Sequence, residues 1–136
     1  GKIVMSTDIK ELRNQMRSAT LGSAVFKKEV IEFNDFEFEV RELSAGAKEK
    51  VRKLAGIKID KDGNIELDQS RYTANAIVAS VFIPGTDQKV FDVTDIEAIC
   101  NAPESGFYGV LGKAVMKMVN GDEDKAEGNS ETPDES

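Results

Sequence analysis

A chain of 136 residues, 40% apolar and 32% charged, has the length and composition of one globular domain and is too short for a multidomain enzyme. It contains no histidine and a single cysteine, which excludes a histidine-based catalytic triad, a histidine or thiolate zinc site and an intrachain disulfide. The net charge of -7 argues against nucleic acid and anionic membranes, and with no long apolar run or leader-like segment we expect a cytosolic protein.

The chain begins with a predicted amphipathic helix over residues 6–17, followed by a linker over 18–24. Ser6 or Thr7 suits the N-cap of this helix. Apolar residues then recur at the spacing of one helical face and form a narrow stripe. We treat residues 1–24 as an N-terminal helix and linker, separate from a core domain over 25–121.

A β-hairpin is predicted next, over residues 25–41. Apolar and charged residues alternate strictly from Phe36 to Arg41, which is typical of a strand with one buried face. Asn34 and Asp35 lie between the two apolar runs and favour a tight turn. We therefore expect two antiparallel strands joined by a short connection.

Three longer helices are predicted in the rest of the domain, over residues 45–55, 69–82 and 104–119. Ser44 suits the N-cap of the first of them, and Gly56 its C-terminal stop. These helices hold most of the large apolar side chains, so we expect them to form the core with the hairpin packed beside it. The positions predicted to face inward are Val51, Leu54, Tyr72, Ala76, Ala79, Val81 or Phe82, Phe107, Tyr108, Leu111, Ala114, Val115, Met118 and Val119.

Two shorter elements lie between these helices. Residues 57–67 are two alternating runs on either side of Asp62-Gly63, a strong turn dipeptide, which allows a second hairpin. Thr94, with Glu97 three residues later, has the pattern of a capping box for a helix over 95–101. The predicted fold class is therefore α+β: a small, mainly helical domain with about five helices and one or two β-hairpins.

Acidic charge is concentrated at the C-terminal end of the chain. Residues 122–136 contain seven acidic residues, one lysine and one apolar residue, for a net charge of -6, whereas residues 1–120 carry a net charge of -1. A segment with so little apolar surface cannot offset the entropy lost on ordering. We therefore predict a disordered acidic tail over 122–136.

The sequence holds one weak match to a calcium site. Asp60, Asp62 and Asn64 have the spacing of the first ligands of an EF-hand loop. The sixth position of that loop needs glycine but is Ile65, and the twelfth needs a bidentate carboxylate but is Arg71. Because two essential positions fail, we expect a polar turn here and no metal site.

No group of residues has the pattern of a catalytic site. Cys100 lies in an apolar run with no histidine to form a thiolate pair, so it is predicted to be a small buried side chain. Gly106, Gly109 and Gly112 follow no strand and precede no P-loop lysine, so we do not expect phosphate binding. Their spacing favours close helix packing over a flexible hinge. We expect no enzyme and no cofactor, and instead a role in binding or assembly.

Two apolar surfaces are candidates for self-association or partner binding. The stripe of the N-terminal helix, tethered by its linker, can dock on its own domain or in a groove of a neighbouring copy. The wide apolar face of the last helix is the second candidate. The residues concerned are Ile9, Leu12 and Met16 on the first surface and Phe107, Leu111 and Met118 on the second.

Five segments between residues 28 and 121 occur in a distinctive order. They are Val-Arg-Glu-Leu-Ser at 40–44, Ala-Ile-Val-Ala-Ser-Val-Phe at 76–82, Pro-Gly-Thr-Asp-Gln-Lys at 84–89, Val-Phe-Asp-Val-Thr-Asp-Ile at 90–96 and Val-Asn-Gly at 119–121. This order, with the chain length and the acidic tail, resembles the tail assembly chaperones of long-tailed bacteriophages, in their lambda-like short form.

The resemblance implies a non-catalytic function in virion morphogenesis. Such chaperones coat the long helical tape measure protein in the host cell cytoplasm, keep it soluble, and leave as the tail tube polymerises around it. They act in many copies, which implies a homo-oligomer, and they are not part of the mature virion. A longer form made by ribosomal frameshifting recruits the tail tube protein. The alternative is a head–tail connector or a minor structural virion protein.

Overall fold

The computed structural model describes residues 8–22 and 24–121. Within these residues the chain forms five α-helices, one 3-10 turn and two small antiparallel sheets, which confirms the predicted α+β class. In chain order the elements are α1 (Ile9–Thr20), β1 (Lys28–Phe33), β2 (Phe36–Arg41), α2 (Ala45–Ala55), β3 (Ile57–Ile59), β4 (Ile65–Leu67), α3 (Gln69–Ser80), β5 (Val81–Phe82), the 3-10 turn (Val93–Asp95), α4 (Ile96–Cys100) and α5 (Phe107–Val119).

α1 is displaced along the chain from the predicted helix over 6–17. Asp8 caps it, because its carboxylate accepts a hydrogen bond of 3.0 Å from the backbone amide two residues later. The two residues proposed as caps lie outside the described residues. The helix also continues to Thr20, so the predicted linker over 18–24 was wrong for its first residues. Ser, Ala and Thr at 18–20 lack apolar periodicity but contain nothing that stops a helix.

The first hairpin forms as predicted. β1 pairs with β2 in antiparallel register, with Phe33 opposite Phe36 and Ile31 opposite Phe38. The two residues between the strands, Asn34 and Asp35, both have positive φ, 53° and 69°. That backbone conformation matches the twist of the flanking strands. Asparagine and aspartate adopt it more readily than other residues that carry a side chain.

α2 has the predicted bounds and caps. The Ser44 hydroxyl accepts a hydrogen bond of 3.0 Å from the Ala47 amide, and Gly56 ends the helix with a φ of 77°. Val51 and Ala55 are buried four residues apart, so this is the face that packs on α3. Leu54, predicted to point inward, is 56% exposed, because it lies one residue before Ala55 and outside that face.

α3 is the centre of the core. It packs against α2, α4, α5 and β2, and eight of its residues are buried. Ile77, in its second half, is fully buried. The predicted helix over 69–82 was too long: the backbone turns extended at Val81, and β5 pairs with β2 to give the sheet order β1-β2-β5.

The second hairpin, β3–β4, is also present. Ile57 lies opposite Leu67 and Ile59 opposite Ile65. Gly63 takes a φ of 86° at the turn, as the Asp-Gly dipeptide predicts. This pair forms a separate two-stranded sheet with no third strand beside it in the described chain.

The capping box before α4 differs from the predicted one. Asp92 and Asp95 form the box, since the Asp92 carboxylate accepts from the Thr94 amide at 2.8 Å and that of Asp95 accepts from the Asp92 amide at 2.9 Å. Thr94 and Glu97 therefore do not cap each other. The 3-10 turn inserted before α4 moves the cap two residues towards the N-terminus, and Glu97 pairs with Arg71 at 2.8 Å instead.

α5 begins three residues later than predicted, at Phe107. A side-chain carbon at Gly109 would lie 2.2 Å from the Glu104 carbonyl oxygen, so the turn before the helix occupies that space. A side-chain carbon at Gly112 would lie 3.3 Å from the Thr73 methyl carbon on α3. Gly112 therefore lets α3 and α5 approach closely, as the glycine spacing predicts.

No helix among the described residues has both the length and the apolar character needed to cross a membrane. The side chains that form the core come from α2, α3, α4 and α5 and from the three-stranded sheet. The core residues are Val40, Val51, Ala55, Tyr72, Ala74, Ala76, Ile77, Val78, Val81, Ile96, Ile99, Leu111, Val115 and Val119.

The predicted acidic tail over 122–136 lies outside the described residues. Because the tail is highly charged and nearly devoid of apolar side chains, we expect its deletion to leave the melting temperature within about 2 °C of the full chain. Thermal denaturation of the chain ending at Gly121 checks this expectation. A loss of several degrees would show that the tail contributes to the fold.

Candidate partner-binding surfaces

The α1 stripe lies on the surface. Ile9 is 69% exposed and Met16 61% exposed, Leu12 is half-buried, and no residue of α1 is buried. An amphipathic helix gains stability mainly by covering its apolar face, and α1 does not do so against its own domain. The stripe is therefore largely exposed in this chain, and its role in self-association or partner binding stays a prediction.

The second predicted surface, on α5, belongs largely to the core. Leu111 is 1% exposed, and Phe107 and Met118 are half-buried against the core. The Phe107 ring also stacks on Phe91, with 6.1 Å between ring centroids. This corrects the sequence expectation. The wide apolar face of α5 packs on α3 and the three-stranded sheet, so little of it is left for another molecule.

The second hairpin carries an apolar surface that was not predicted from the sequence. Alternation places Ile57, Ile59, Ile65 and Leu67 on one face of β3–β4. The three isoleucines are 64%, 65% and 67% exposed, and only Leu67 packs partly against the core. We call these four side chains the hairpin face. The signal was present in the alternating runs, but alternation does not tell whether the apolar side is covered.

An open groove of about 520 Å³ runs between the hairpin face and the end of α2. Ile57, Ile65 and Leu67 form its apolar wall. Its charged rim consists of Arg52 and Lys53 of α2 and Glu66 of β4. A two-stranded hairpin is only marginally stable alone, and an exposed cluster of this kind is typical of an interaction site. The groove is thus a second exposed apolar surface, separate from the α1 stripe.

The calcium-like segment builds the turn of this hairpin. One oxygen of the Asp60 carboxylate accepts from the amides of Asp62 and Asn64, at 2.9 and 2.8 Å, and the other accepts from the Asn64 side chain at 3.2 Å. These bonds, first the one from the Asn64 amide, lower the pKa of Asp60. The described residues contain no cluster of three acidic or cysteine side chains with the geometry of a metal site.

Cys100 is half-buried at the end of α4. Its thiol lies 3.7 Å from the Ser70 carbonyl oxygen, the distance of a weak sulfur hydrogen bond. The side chain packs partly against the core, so it is less buried than the sequence predicts.

A partly buried ion pair holds the turn over residues 83–88 against the first sheet. Glu39 is only 4% exposed, and its carboxylate accepts from the Gly85 amide at 2.9 Å and from the Arg41 Nε at 2.6 Å. The Arg41 guanidinium lies over the Phe82 ring at 3.8 Å and also bonds to the Thr86 carbonyl oxygen. No sequence pattern indicated this contact, because the partners are more than 40 residues apart.

The Glu39 pair makes stability depend on pH. The bond from the Gly85 amide, and next the bond from Arg41, lower the pKa of Glu39. A carboxylate with a lowered folded-state pKa contributes stability above its unfolded pKa, and this stability is lost as the pH falls through the folded value. We expect Glu39→Gln to make the stability loss between about pH 6 and about pH 3 shallower.

Urea denaturation across that pH range measures the effect. The matched control is Glu37→Gln, which changes an exposed glutamate on the same strand. A Glu39→Gln variant with the same pH slope as the wild type and the Glu37 control would contradict the assigned role of the pair.

No protein-family model matches this chain, and neither a characterised protein sequence nor a solved structure shows significant similarity to it.

Proposed function

We propose that this chain is a non-catalytic assembly protein that coats and solubilises the tape measure protein of a long-tailed bacteriophage. The observation that carries the proposal is the pair of exposed apolar surfaces, the α1 stripe and the hairpin face, on a domain whose core is otherwise filled. Exposed apolar clusters on a small domain mark sites where another molecule binds. The order of segments over 28–121 points to the class of that molecule.

The surfaces suit a helical partner. A tape measure protein is a long helix with apolar side chains along it, and a helix binds by laying its apolar face in a groove. The groove beside β3–β4 has an apolar wall and a charged rim, the composition typical of such a site. An apolar helix covered in this way no longer aggregates with other copies of itself.

Charge supports the same role. The domain up to residue 120 is nearly neutral, and the tail carries a net charge of -6. An acidic segment on every bound copy would cover the complex with negative charge and keep it dispersed. In a longer frameshifted form, the chain following this region would recruit the tail tube protein.

Fractionation of infected cells tests the proposal against the structural alternative. We expect mass spectrometry to find the protein in tail assembly intermediates together with the tape measure protein. Purified virions should lack it, because the chaperone leaves when the tube forms. Detection in virions at a fixed copy number would identify a head–tail connector or a minor structural protein and overturn the proposal.

A further inference from the structure

We infer that β1 of one copy pairs with β1 of a second copy, antiparallel and across a twofold axis at Val30. β1 is an outer strand, because the sheet order β1-β2-β5 puts β2 on one side of it and no described strand on the other. A six-residue strand with an open edge is a template for a further strand. The pairing joins the two three-stranded sheets into one sheet of six strands.

The direction of the backbone groups determines which residues of β1 take part. The Glu42 amide donates to the Lys27 carbonyl oxygen at 2.9 Å, so the backbone groups of Lys27 point towards β2. Successive residues of an antiparallel strand point these groups to opposite sides. The amides and carbonyls of Lys28, Val30 and Glu32 therefore point away from β2. Within the described chain, no strand lies on that side to pair with them.

One register uses all three outward-facing residues. With Val30 opposite Val30 of the second copy, Lys28 lies opposite the second copy's Glu32, and Glu32 lies opposite its Lys28. Each of these residues then exchanges two backbone hydrogen bonds with its counterpart. A shift of two residues in either direction pairs one of the three with a residue outside β1. The twofold register is therefore the one with the most hydrogen bonds between the two strands.

Charge favours a second copy as the occupant of this edge. Within one sheet, like charges lie opposite each other, since Lys28 faces Arg41 and Glu32 faces Glu37. Like charges directly opposite each other destabilise a strand pair, and opposite charges stabilise it. Arg41 is already bonded to Glu39, so the lysine and the two exposed glutamates are the charges that gain a new neighbour. In the twofold register the lysine of each copy lies beside the acidic end of the other.

Exposure and the opposite sheet edge are consistent with a closed pair. Val30 is 52% exposed, and Lys28 and Glu32 are exposed as well, so this side of β1 is open in the described chain. At the other edge, β5 is two residues long and is already covered by the Phe82–Lys89 bridge. A twofold contact uses the same strand of both copies, so association ends at a dimer. One strand pair is smaller than a standard interface, so the dimer is weak.

Charge reversal at the two paired positions tests both the contact and its register. Lys28→Glu places two pairs of glutamates opposite each other across the axis, and Glu32→Lys places two pairs of lysines there. Each single variant should associate at least about tenfold more weakly than the wild type at low ionic strength. Within one copy, either change replaces a like-charge pair by an opposite-charge pair. The fold and the melting temperature should therefore be retained.

Sedimentation velocity and light scattering on the protein alone measure the association up to about 1 mM, the range of weak contacts. With rising concentration, the average mass of the wild type should approach twice the 14.9 kDa of one chain. A wild type that stays monomeric overturns the inference, and the edge is then free for an extended segment of a different protein. Because no tape measure protein is present, that result leaves the proposed function untouched.

Mixing the two single variants is the decisive step. Each glutamate of the Lys28→Glu variant then lies opposite a lysine of the Glu32→Lys variant, so an equimolar mixture should associate like the wild type. The double variant, with both changes in one chain, should also regain the dimer. A mixture that stays monomeric, or a single variant that associates like the wild type, contradicts the inference.

Val30→Pro tests the backbone contribution. Proline removes the central outward-facing amide without removing a hydrogen bond to β2, a position that edge strands tolerate. The matched control is Val30→Thr, which keeps both the amide and a β-branched side chain. We expect the proline variant to be monomeric and the threonine variant to dimerise. A folded proline variant that dimerises like the wild type would contradict pairing through this edge.

Discussion

Replacing Ile77 with alanine should lower the free energy of unfolding by about 3 kcal/mol, within the range of about 2–5 kcal/mol for a fully buried isoleucine. Ile77 is 0% exposed on α3, the helix that packs against α2, α4, α5 and β2. The cavity left behind is surrounded on all sides, so little of it can close by local movement. For a domain of this size, the melting temperature should fall by roughly 10 °C.

Urea and thermal denaturation measure this loss, with Ile83→Ala as the matched control. Ile83 has the same side chain but is 48% exposed just after β5. Its truncation should change stability by about 0.5 kcal/mol or less, as is usual at the surface. Equal losses for the two variants would mean that α3 is not the centre of the core.

Gly109→Ala should destabilise the domain by about 1–3 kcal/mol, the usual cost of forcing an added group into filled space. The new side-chain carbon would lie 2.2 Å from the Glu104 carbonyl oxygen, a contact that neither backbone segment can relieve by a rotamer change. The turn before α5 or the first turn of the helix must therefore move. Because α5 supplies Leu111 and Val115 to the core, that movement reaches the packing against α3.

Two other helical glycines complete the series. Gly46 on α2 has no atom within 4 Å of an added side-chain carbon, so Gly46→Ala should stabilise the helix by up to about 1 kcal/mol. At Gly112 the nearest atom is 3.3 Å away, in a side chain that can shift, so the change there should be intermediate. Denaturant midpoints should rank the variants Gly46, Gly112, Gly109, from most to least stable. A Gly109→Ala variant as stable as Gly46→Ala would contradict the geometry at the start of α5.

Local chemistry made several elements predictable from the sequence. The Ser44 cap and the Gly56 stop bound α2, and Asn34-Asp35 marks the first turn, because the interactions involved lie within a few residues. Predictions were wrong where contact with a residue far away in the sequence determines the end of an element. The end of α3 depends on β2, which is about 40 residues earlier and takes Val81 into a sheet. A helical pattern cannot reveal that competition.

The exposed apolar surfaces were predictable only in part. Apolar spacing identified the α1 stripe, but the same signal placed Leu111 on a surface, because periodicity gives a face and not its neighbour. The exposed isoleucines of the hairpin face show the converse. Their alternation is typical of a strand with one covered side, yet the rest of the domain leaves that side open. Tertiary packing, which no local pattern encodes, decides which apolar faces remain for partners.

Co-expression with the tape measure protein tests the central claim most directly. The measurement is the fraction of tape measure protein in the soluble lysate, with and without this chain. We expect a several-fold rise with the wild type and with the control Phe36→Asp/Val93→Asp, whose two side chains are 70% and 71% exposed and belong to neither apolar surface. We expect no rise with a variant that carries Asp at Ile9, Leu12, Ile59 and Ile65, because both exposed apolar surfaces are then lost. A tape measure protein that stays insoluble with the wild type would contradict the proposed function. So would one that becomes equally soluble with the variant carrying all four substitutions.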